Sequence, residues 1–270
     1  MELIQLTPWD LSIAALLVVG LAILSWRLRL GIGQRMLWAM LRTIIQLTLL
    51  GLVLKTLFNQ QNPLLIGLLA LFMLGVASYE VMARQERRFA GSWGIGIGAI
   101  AMFSSSFSIT LIAVHIVINV EPWYTPQYLI PLLGMLLGNT MSGIAITMDN
   151  LSQHAYLQRG AIEARLILGH GWDSAIREIR RNALRAGLIP IINAMAAAGI
   201  VSLPGMMTGQ ILAGSPPLEA AKYQIMIMLL IAAGTGLGST LAVWIGSYRL
   251  FDERQRLRLD RLKGGRYTGT

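Results

Sequence analysis

The sequence predicts an all-α, polytopic integral membrane protein with about seven transmembrane helices and one polar helical hairpin. Of its 270 residues, 55% are hydrophobic and only 13% are charged, which is about half the charged share of an average soluble domain. The apolar residues are grouped in runs of roughly 20, the length that a helix needs to cross the hydrocarbon core. Most of the surface is therefore expected to face lipid.

Seven segments are long and apolar enough to be spans. They are Leu11–Trp26, Leu37–Phe58, Pro63–Met82, Trp93–Val120, Tyr128–Met148, Ala186–Ala213 and Tyr223–Tyr248. The first is short unless it extends back over Leu3–Trp9. The sixth contains Pro190 and Leu203-Pro204-Gly205, which favour a broken or re-entrant element, because proline removes a helical hydrogen bond.

The basic residues predict the orientation of these spans. The connections after spans one, three and five, together with Arg42 and the C-terminal tail, hold 20 of the 22 Lys and Arg residues, and the other connections hold only Lys55 and Lys222. Cytoplasmic loops carry the excess of Lys and Arg. The N-terminus is therefore predicted to be outside and the basic tail, residues 249–270, in the cytoplasm. That tail is interpreted either as a charged stop for the last span or as a surface helix that binds anionic lipid or a partner.

Composition also excludes several classes of function. The chain has no cysteine, so disulfides, thiolate metal ligands and cysteine nucleophiles are excluded. Its net charge of +9 does not indicate nucleic acid as a partner, because the charges lie between the apolar runs. No Gly-Lys pair occurs, so the chain has no P-loop for ATP.

The longest polar stretch, about residues 150–185, is predicted to be a cytoplasmic hairpin of two helices separated by Gly169-His170-Gly171. Asp173 is placed to cap the second helix and to pair with Arg177. That helix has an apolar side and a basic stripe, formed by Ile176, Ile179 and Ala183 and by Arg177, Arg181 and Arg185.

This hairpin resembles the EAA motif of ABC-transporter permeases. Glu163-Ala164 is followed by Gly169 and, after nine further residues, by Ile179, although Arg165 and Arg181-Asn182 depart from the motif. The resemblance implies a coupling helix that sits in a groove of a separate ATPase subunit. Its coupling residues would be Glu163, Ala164, Gly169, Gly171, Asp173 and Ile179. The alternative is an ordinary amphipathic helix on the membrane surface.

Two further segments, Pro131–Ile146 and Ser202–Ile225, resemble recognisable blocks of the Fet-type, or iron-export, family of ABC permeases, which is related to plant aluminium-sensitivity permeases. The resemblance covers essentially the whole chain. It implies one permease domain over residues 1–270, a homodimer in the bacterial cytoplasmic (inner) membrane, and export of iron or another metal ion. It also implies a separate ATPase subunit that holds ATP and Mg²⁺, so this chain is expected to be no enzyme and to carry no cofactor.

Polar groups at membrane depth are costly and are therefore candidates for the transport path. The candidates are Glu80, Asn139, Asp149, Asn193, Met206, Met207 and Gln210. Hydrogen bonding between helices is an equal alternative for the two asparagines, and packing is an alternative for the methionines, which show no regular spacing.

Two other functional classes compete with an ATP-driven permease. A stand-alone secondary carrier or channel for a small solute would be expected to show paired broken helices in two repeats. An intramembrane enzyme is disfavoured, because the sequence shows no nucleophile with its base and no set of metal ligands.

Overall fold

The protein was analysed as a computed structural model that describes residues 7–60 and 62–264. Almost all of its regular structure is α-helical. The helices are α1 (Pro8–Arg27), α2 (Gly33–Gln60), α3 (Pro63–Ala83), α4 (Trp93–Met102), α5 (Ser108–Ile112), α6 (Pro126–Leu157), α7 (Arg159–Ile167), α8 (Trp172–Ala197), α9 (Gly205–Leu212) and α10 (Pro217–Arg249). Two short strands, β1 (Arg87–Phe89) and β2 (Leu262–Gly264), complete it.

Six helical segments within the described residues are long and apolar enough to cross a membrane. They are Trp9–Arg27, Gly33–Phe58, Pro63–Ala83, Trp93–Val117, Pro126–Leu157 and Pro217–Arg249. Each corresponds to one of the seven predicted spans. The prediction of an all-α, polytopic membrane protein is confirmed. The first span was expected to extend back over Leu3–Trp9, and residues 3–6 of this extension lie outside the described residues.

The remaining predicted span, Ala186–Ala213, is broken, and the break lies at one of the two places that the sequence suggested. Helix α8 continues through Pro190 and ends at Ala197, so the expectation of an interruption at Pro190 is wrong. The chain then leaves helical geometry until Pro204, with Gly199 at a φ of +81°, and α9 adds only eight residues. Neither part could span a bilayer alone, since the first half of α8 is polar.

The fourth span contains irregular helix that the sequence did not predict. Between Trp93 and Val117 the α-helix changes to π-helix twice, at Phe103–Phe107 and at Ala113–Val117. The first of these turns carries the run Ser104-Ser105-Ser106. Such π-helical turns are rare and often lie close to functional sites.

The described chain forms two compact units, of which the first contains α1 and α2 and the second begins at Pro63. In the second unit α6 is central and packs against α3, α8 and α10. Its contact with α8 is close enough to require glycine: a Cβ on Gly187 would clash with Thr147 Oγ1 and lie 2.7 Å from the Gly143 carbonyl oxygen. The grouping of residues 1–270 into one permease domain stays a prediction.

The C-terminal tail is folded against the connection that follows α3. Strand β2 pairs antiparallel with β1, with Arg87 opposite Gly264 and Phe89 opposite Leu262. The surface-helix interpretation of the tail is therefore wrong for residues 250–264, and residues 265–270 lie outside the described part of the chain. Loop 84–92, the last turns of α6, the α7–α8 turn and tail residues 250–264 together are called the hairpin end below.

The orientation of the spans stays a prediction, and the Cys-free sequence makes it testable. Gly160, at the hairpin end, and Glu219, at the start of α10, are both exposed. With an impermeant thiol reagent on intact cells, Glu219→Cys should be labelled and Gly160→Cys should not. Both should be labelled after the cells are permeabilised, which is the control for reactivity. Labelling of Gly160→Cys alone in intact cells would reverse the topology.

Candidate coupling hairpin and transport path

The turn between α7 and α8 contains two glycines, Gly169 and Gly171. Only Gly169 has a backbone conformation that favours glycine. Gly169 has a φ of +88°, and a Cβ there would meet nothing within 4 Å. The requirement for glycine is thus conformational, because side chains rarely adopt this left-handed region. Gly171 is the N-cap of α8 with an ordinary φ of −66°, so its place in the turn does not depend on being glycine.

The hairpin buries one side in the core and exposes the other. Ile162 and Ile179 are buried, at 1% and 4% exposed, whereas Glu163, Ala164 and Gly169 are exposed. Of the residues predicted for coupling, Ile179 therefore holds the hairpin in place and is not available to a partner. Of the other five, Glu163, Ala164, Gly169 and Gly171 are exposed and Asp173 is half-buried.

Asp173 lies in the first turn of α8 and does not cap it. Its carboxylate pairs with Arg180 at 2.5 Å and with Arg177 at 3.6 Å. The hydrogen bond from Arg180 is the main reason why the pKa of Asp173 is lowered from its usual value. The pair with Arg177 was predicted from helical spacing, whereas the pair with Arg180 was not predicted. The Arg180 guanidinium also lies 5.8 Å from the centre of the Trp172 ring.

The α8 N-terminus is capped from the tail. Gln255 Oε1 accepts a hydrogen bond of 3.1 Å from the Trp172 backbone N–H, which would otherwise have no partner in the helix. The Trp172 ring packs against Tyr248 and Phe251, with centroids 6.0 and 5.8 Å apart. No pattern in the sequence links Gln255 to the hairpin, since 83 residues separate it from Trp172.

A tight turn in the tail holds Gln255 in position. The carboxylate of Asp252 accepts hydrogen bonds from the backbone N–H groups of Arg254 and Arg256, at 3.0 and 2.9 Å. The bond from the Arg256 backbone is the largest reason why the pKa of Asp252 is lowered. Between this turn and the hairpin lies an open groove of about 760 Å³. It is lined by Glu163, Leu166, Ile167, Gly169, His170, Glu253, Arg254, Gln255, Arg256 and Leu257.

Two large apolar side chains project from the hairpin turn. Ile167 is 86% exposed and Leu168 is 77% exposed. They are called the hairpin tip below. Ile167 lines the groove, and Leu168 follows it, directly before the left-handed turn at Gly169. Apolar side chains that lie together on a polar surface are typical of a protein interface.

The predicted transport-path residues lie in separate parts of the described chain, and their role in transport stays a prediction. Asp149 lies at the hairpin end, where its Oδ1 accepts a 2.7 Å hydrogen bond from the Glu86 backbone N–H. Glu80 lies one turn before Arg84, with 3.8 Å between its Oε2 and the Arg84 Nε. The contact of Asp149 fixes the connection after α3, which gives it a structural role.

Asn139 and Asn193 both lie on the surface of the second unit. Asn139 donates from Nδ2 to the Met135 carbonyl one turn earlier, at 2.8 Å. Gly138 beside it is also exposed, and a Cβ there would meet nothing within 4 Å. A primary amide on the lipid-facing surface is unfavourable, so this side of α6 is expected to be covered.

Met206, Met207 and Gln210 lie at the opposite end of the second unit, on α9. Met206 and Gln210 line one cavity and Met207 lines another. Within residues 7–60 and 62–264, no three His, Asp or Glu side chains are grouped as metal ligands would be. The role of these three residues in transport stays a prediction.

Comparison with known proteins assigns the chain to a family. A family model described as an uncharacterised protein family, UPF0014, matches residues 8–251. The chain belongs to the UPF0014 family. No solved structure matches it.

Several relatives match this chain over most of their length. A UPF0014 membrane protein of Synechocystis is 39% identical, over 94% of this chain and 98% of that protein. The protein named ALUMINUM SENSITIVE 3 of Arabidopsis thaliana is 37% identical, over 86% and 84%. The probable iron export permease protein FetB of Escherichia coli is 31% identical, over 96% and 98%. The resemblance inferred from the sequence blocks is confirmed, and the chain is a multi-pass membrane protein of this family.

The cap from the tail predicts a measurable effect on the hairpin. Gln255→Ala removes the acceptor and should destabilise the first turn of α8 by about 1 kcal/mol. Amide hydrogen exchange at Trp172–Ala175 should then be roughly fivefold faster, since 1.4 kcal/mol is a factor of ten.

Gln255→Glu is the matched control for that change. Gln255 has a φ of +58°, so Ala and Glu have the same backbone strain and differ in the side-chain acceptor. A carboxylate can still accept the Trp172 N–H and is favoured at a helix N-terminus. Equal exchange rates in the two variants would contradict the cap.

Proposed function

We propose that this protein is the membrane-spanning permease subunit of an ATP-driven (ABC) transporter that exports iron or another metal ion. The subunit works as a homodimer in the bacterial cytoplasmic membrane, and a separate ATPase subunit holds ATP and Mg²⁺. The name of the Escherichia coli relative supports the transport of iron. The form of the hairpin supports the ATPase partner, and it is the observation on which the proposal mainly rests.

The hairpin tip suits contact with a second protein because it is apolar, exposed and rigidly supported. Ile167 and Leu168 project from a turn whose two helices are anchored in the core by Ile162 and Ile179. A coupling element must transmit displacement without bending. The hairpin meets this requirement, because one side is buried in the core and the other side is exposed to a partner. The tail adds a second wall beside the tip, with Glu253 and Arg254 exposed for polar contacts.

Helix α8 gives that displacement a route into the membrane. It runs without a break from Trp172 in the hairpin to Ala197, close to the interrupted segment before α9. A continuous helix of 26 residues is about 39 Å long at 1.5 Å per residue. Movement of the tip would therefore move the far end of the same rod.

The exposed side of α6 supports the homodimer. Asn139 and Gly138 lie next to each other on that surface, and Asn193 of α8 is also exposed. A second copy that packs here would cover the amide groups, and Gly138 would permit close approach of the helices. Gly234 and Gly238 of α10 are also four residues apart, but both pack inside the chain against Thr140, so they are not part of this surface.

A stand-alone carrier is less well supported. The segments Leu129–Pro131 and Leu188–Pro190 have the same sequence, Leu-Ile-Pro. Such a match could mark two repeats that each contain a broken helix. Both prolines lie inside continuous helices, α6 and α8. The paired broken helices of such carriers are thus not found at these two positions.

Removing the apolar character of the hairpin tip should weaken ATPase binding without unfolding the chain. The double change Ile167→Ser and Leu168→Ser affects exposed side chains, so thermal stability should stay unchanged. Loss of two buried apolar contacts at an interface corresponds to at least about a tenfold loss of affinity. Co-purification of co-expressed candidate ATPase subunits with the tagged chain measures it.

Leu157→Ser is the control for that experiment. Leu157 is 72% exposed at the end of α6, so it matches the tip residues in exposure but lies outside the α7–α8 turn. ATPase recovery should equal that of the unchanged chain. Full recovery with the tip variant would show that the hairpin is only a surface element.

The proposed dimer predicts a specific cross-link in the Cys-free chain. Asn139→Cys, oxidised in native membranes, should give a disulfide-linked dimer on a non-reducing gel, because the two copies of α6 approach at this side. Phe72→Cys is the control, since Phe72 of α3 is 67% exposed and is assigned to lipid. Equal cross-linking of both variants, or none with Asn139→Cys, would contradict this interface.

A further inference from the structure

A polar cavity lies where α10 ends, between the start of α8 and the tail. Its volume is about 470 Å³, within the range of about 300–1,000 Å³ that is typical of small-molecule sites. Its lining includes two aromatic rings, two guanidinium groups and two carboxylates, which belong to Trp172, Tyr248, Arg249, Arg261, Asp252 and Glu253.

Direct contacts hold the walls of this cavity in place. The Trp172 ring packs edge-on against Tyr248, with ring centres 6.0 Å apart. Arg261 closes the end of α10, since its Nη1 donates to the carbonyl oxygens of Arg249 and Phe251, at 2.8 and 3.1 Å. Such a contact satisfies carbonyl groups that would have no partner where a helix ends. The cavity is therefore a built part of the fold.

Arg249 brings an unpaired positive charge into the cavity. Its guanidinium carbon lies 4.7 Å from the centre of the Trp93 ring, and this cation–π contact holds the side chain in place. Among residues 7–60 and 62–264, no carboxylate lies within 4.0 Å of its guanidinium. Arg249 is half-buried, so a ligand in the cavity can reach it. A guanidinium with free donors is well suited to bind a phosphate group.

Glu253 brings an unpaired negative charge to the same cavity. It is exposed, and no Lys or Arg of the described chain lies within 4.0 Å of its carboxylate. The other carboxylate, of Asp252, is already paired with Arg256 at 2.8 Å. Glu253 would repel a simple anion and Arg249 would repel a simple cation. The lining therefore fits a ligand that carries both charges.

The position of the cavity indicates that its ligand belongs to the membrane. Arg249 is the last residue of a segment that is long and apolar enough to span a bilayer. On the same helix, Trp244 and Tyr248 lie four residues apart and are 58% and 64% exposed. Trp and Tyr are enriched where the hydrocarbon core meets water. The cavity therefore lies at the level where a bilayer has its phosphate groups.

We propose that this cavity binds the head group of a zwitterionic phospholipid of the phosphatidylethanolamine class. Arg249 binds the phosphate, and the carboxylate of Glu253 accepts hydrogen bonds from the primary ammonium group. The acyl chains lie along α10, beside Trp244 and Tyr248. The site is independent of the proposed function, because lipid binding to this chain alone needs neither the ATPase nor transport.

A charged stop at the end of the last span is the other explanation for Arg249, because basic residues at such a position anchor a helix. This explanation accounts for the charge, but it accounts neither for the cavity nor for Glu253 in its lining. A stop would also attract an anionic phospholipid at least as strongly as a zwitterionic one. The two explanations therefore differ in the head group that they favour.

Native mass spectrometry of the purified, delipidated full chain measures this preference. Phosphatidylethanolamine and phosphatidylglycerol with the same acyl chains are titrated separately, and the lipid retained per chain is counted. One phosphatidylethanolamine should be retained per chain, with an affinity at least about tenfold above that for phosphatidylglycerol, which has no ammonium group to pair with Glu253. Equal affinity for the two lipids, or a preference for phosphatidylglycerol, would overturn the proposal without the need for any variant.

Two variants test the residues, after circular dichroism and gel filtration have shown that each is folded. Arg249→Gln removes the guanidinium and should weaken phosphatidylethanolamine binding about tenfold. Glu253→Gln removes the carboxylate and should abolish the preference over phosphatidylglycerol. The matched control is Arg88→Gln, which removes an exposed arginine of β1 outside the cavity and should leave binding unchanged. Unchanged binding by Arg249→Gln, or an equal loss in the control, would contradict the site.

Soluble glycerophosphoethanolamine distinguishes a lipid site from a site for a free zwitterion. It carries the same phosphate and ammonium groups but no acyl chains, so at millimolar concentration it should leave the bound phosphatidylethanolamine in place. Displacement of the lipid under these conditions would show that the cavity takes a soluble ligand, and the assignment to a phospholipid would be wrong.

Discussion

The close contact between α6 and α8 is the constraint on which the second unit depends. At Gly143 and Gly187 the two backbones are so near that a single added methyl group on Gly187 would clash with Thr147. A similar contact joins α6 to α10, where a Cβ on Gly238 would lie 2.7 Å from Thr140 Cγ2. Between helices in a membrane, association depends on such packing, since burial from lipid supplies little driving force.

This contact gives α8 a fixed support near its middle, with different chemistry at its two ends. The end that begins at Trp172 is charged, and the tail caps it through Gln255. The other end leads past Ala197 into the interrupted segment and to α9, where the surroundings are neutral and rich in sulfur. A rod that is held at its middle and capped at one end is suited to transmit movement between these two regions.

Much of the fold followed from the sequence because its signals are local. Apolar runs of about 20 residues predict spans wherever they occur. The run Gly169-His170-Gly171 predicted a turn, and Gly169 has the left-handed conformation that such a turn uses. Pro190 was misleading, because a proline in a membrane helix is tolerated when neighbouring groups satisfy the freed carbonyl. The break at Ala198–Pro204 instead coincides with the left-handed Gly199.

The features that the sequence did not predict are contacts between distant parts of the chain. Strand β1 pairs with β2 about 175 residues later, and so short a strand has no periodicity of its own. Met135 and Met226 share a cavity only because α6 and α10 are neighbours. A search for regular methionine spacing within one helix could not find that set.

The distribution of charge distinguishes the two ends of the second unit. At the hairpin end the carboxylates of Asp149, Asp173 and Asp252 all accept hydrogen bonds from nearby groups, and those contacts hold loops and helix ends together. The residues that line the cavities beside α9 are neutral. These three carboxylates thus make fixed contacts at the hairpin end, beside the surface that is proposed to meet the ATPase, whereas no charged side chain lines the cavities at the α9 end.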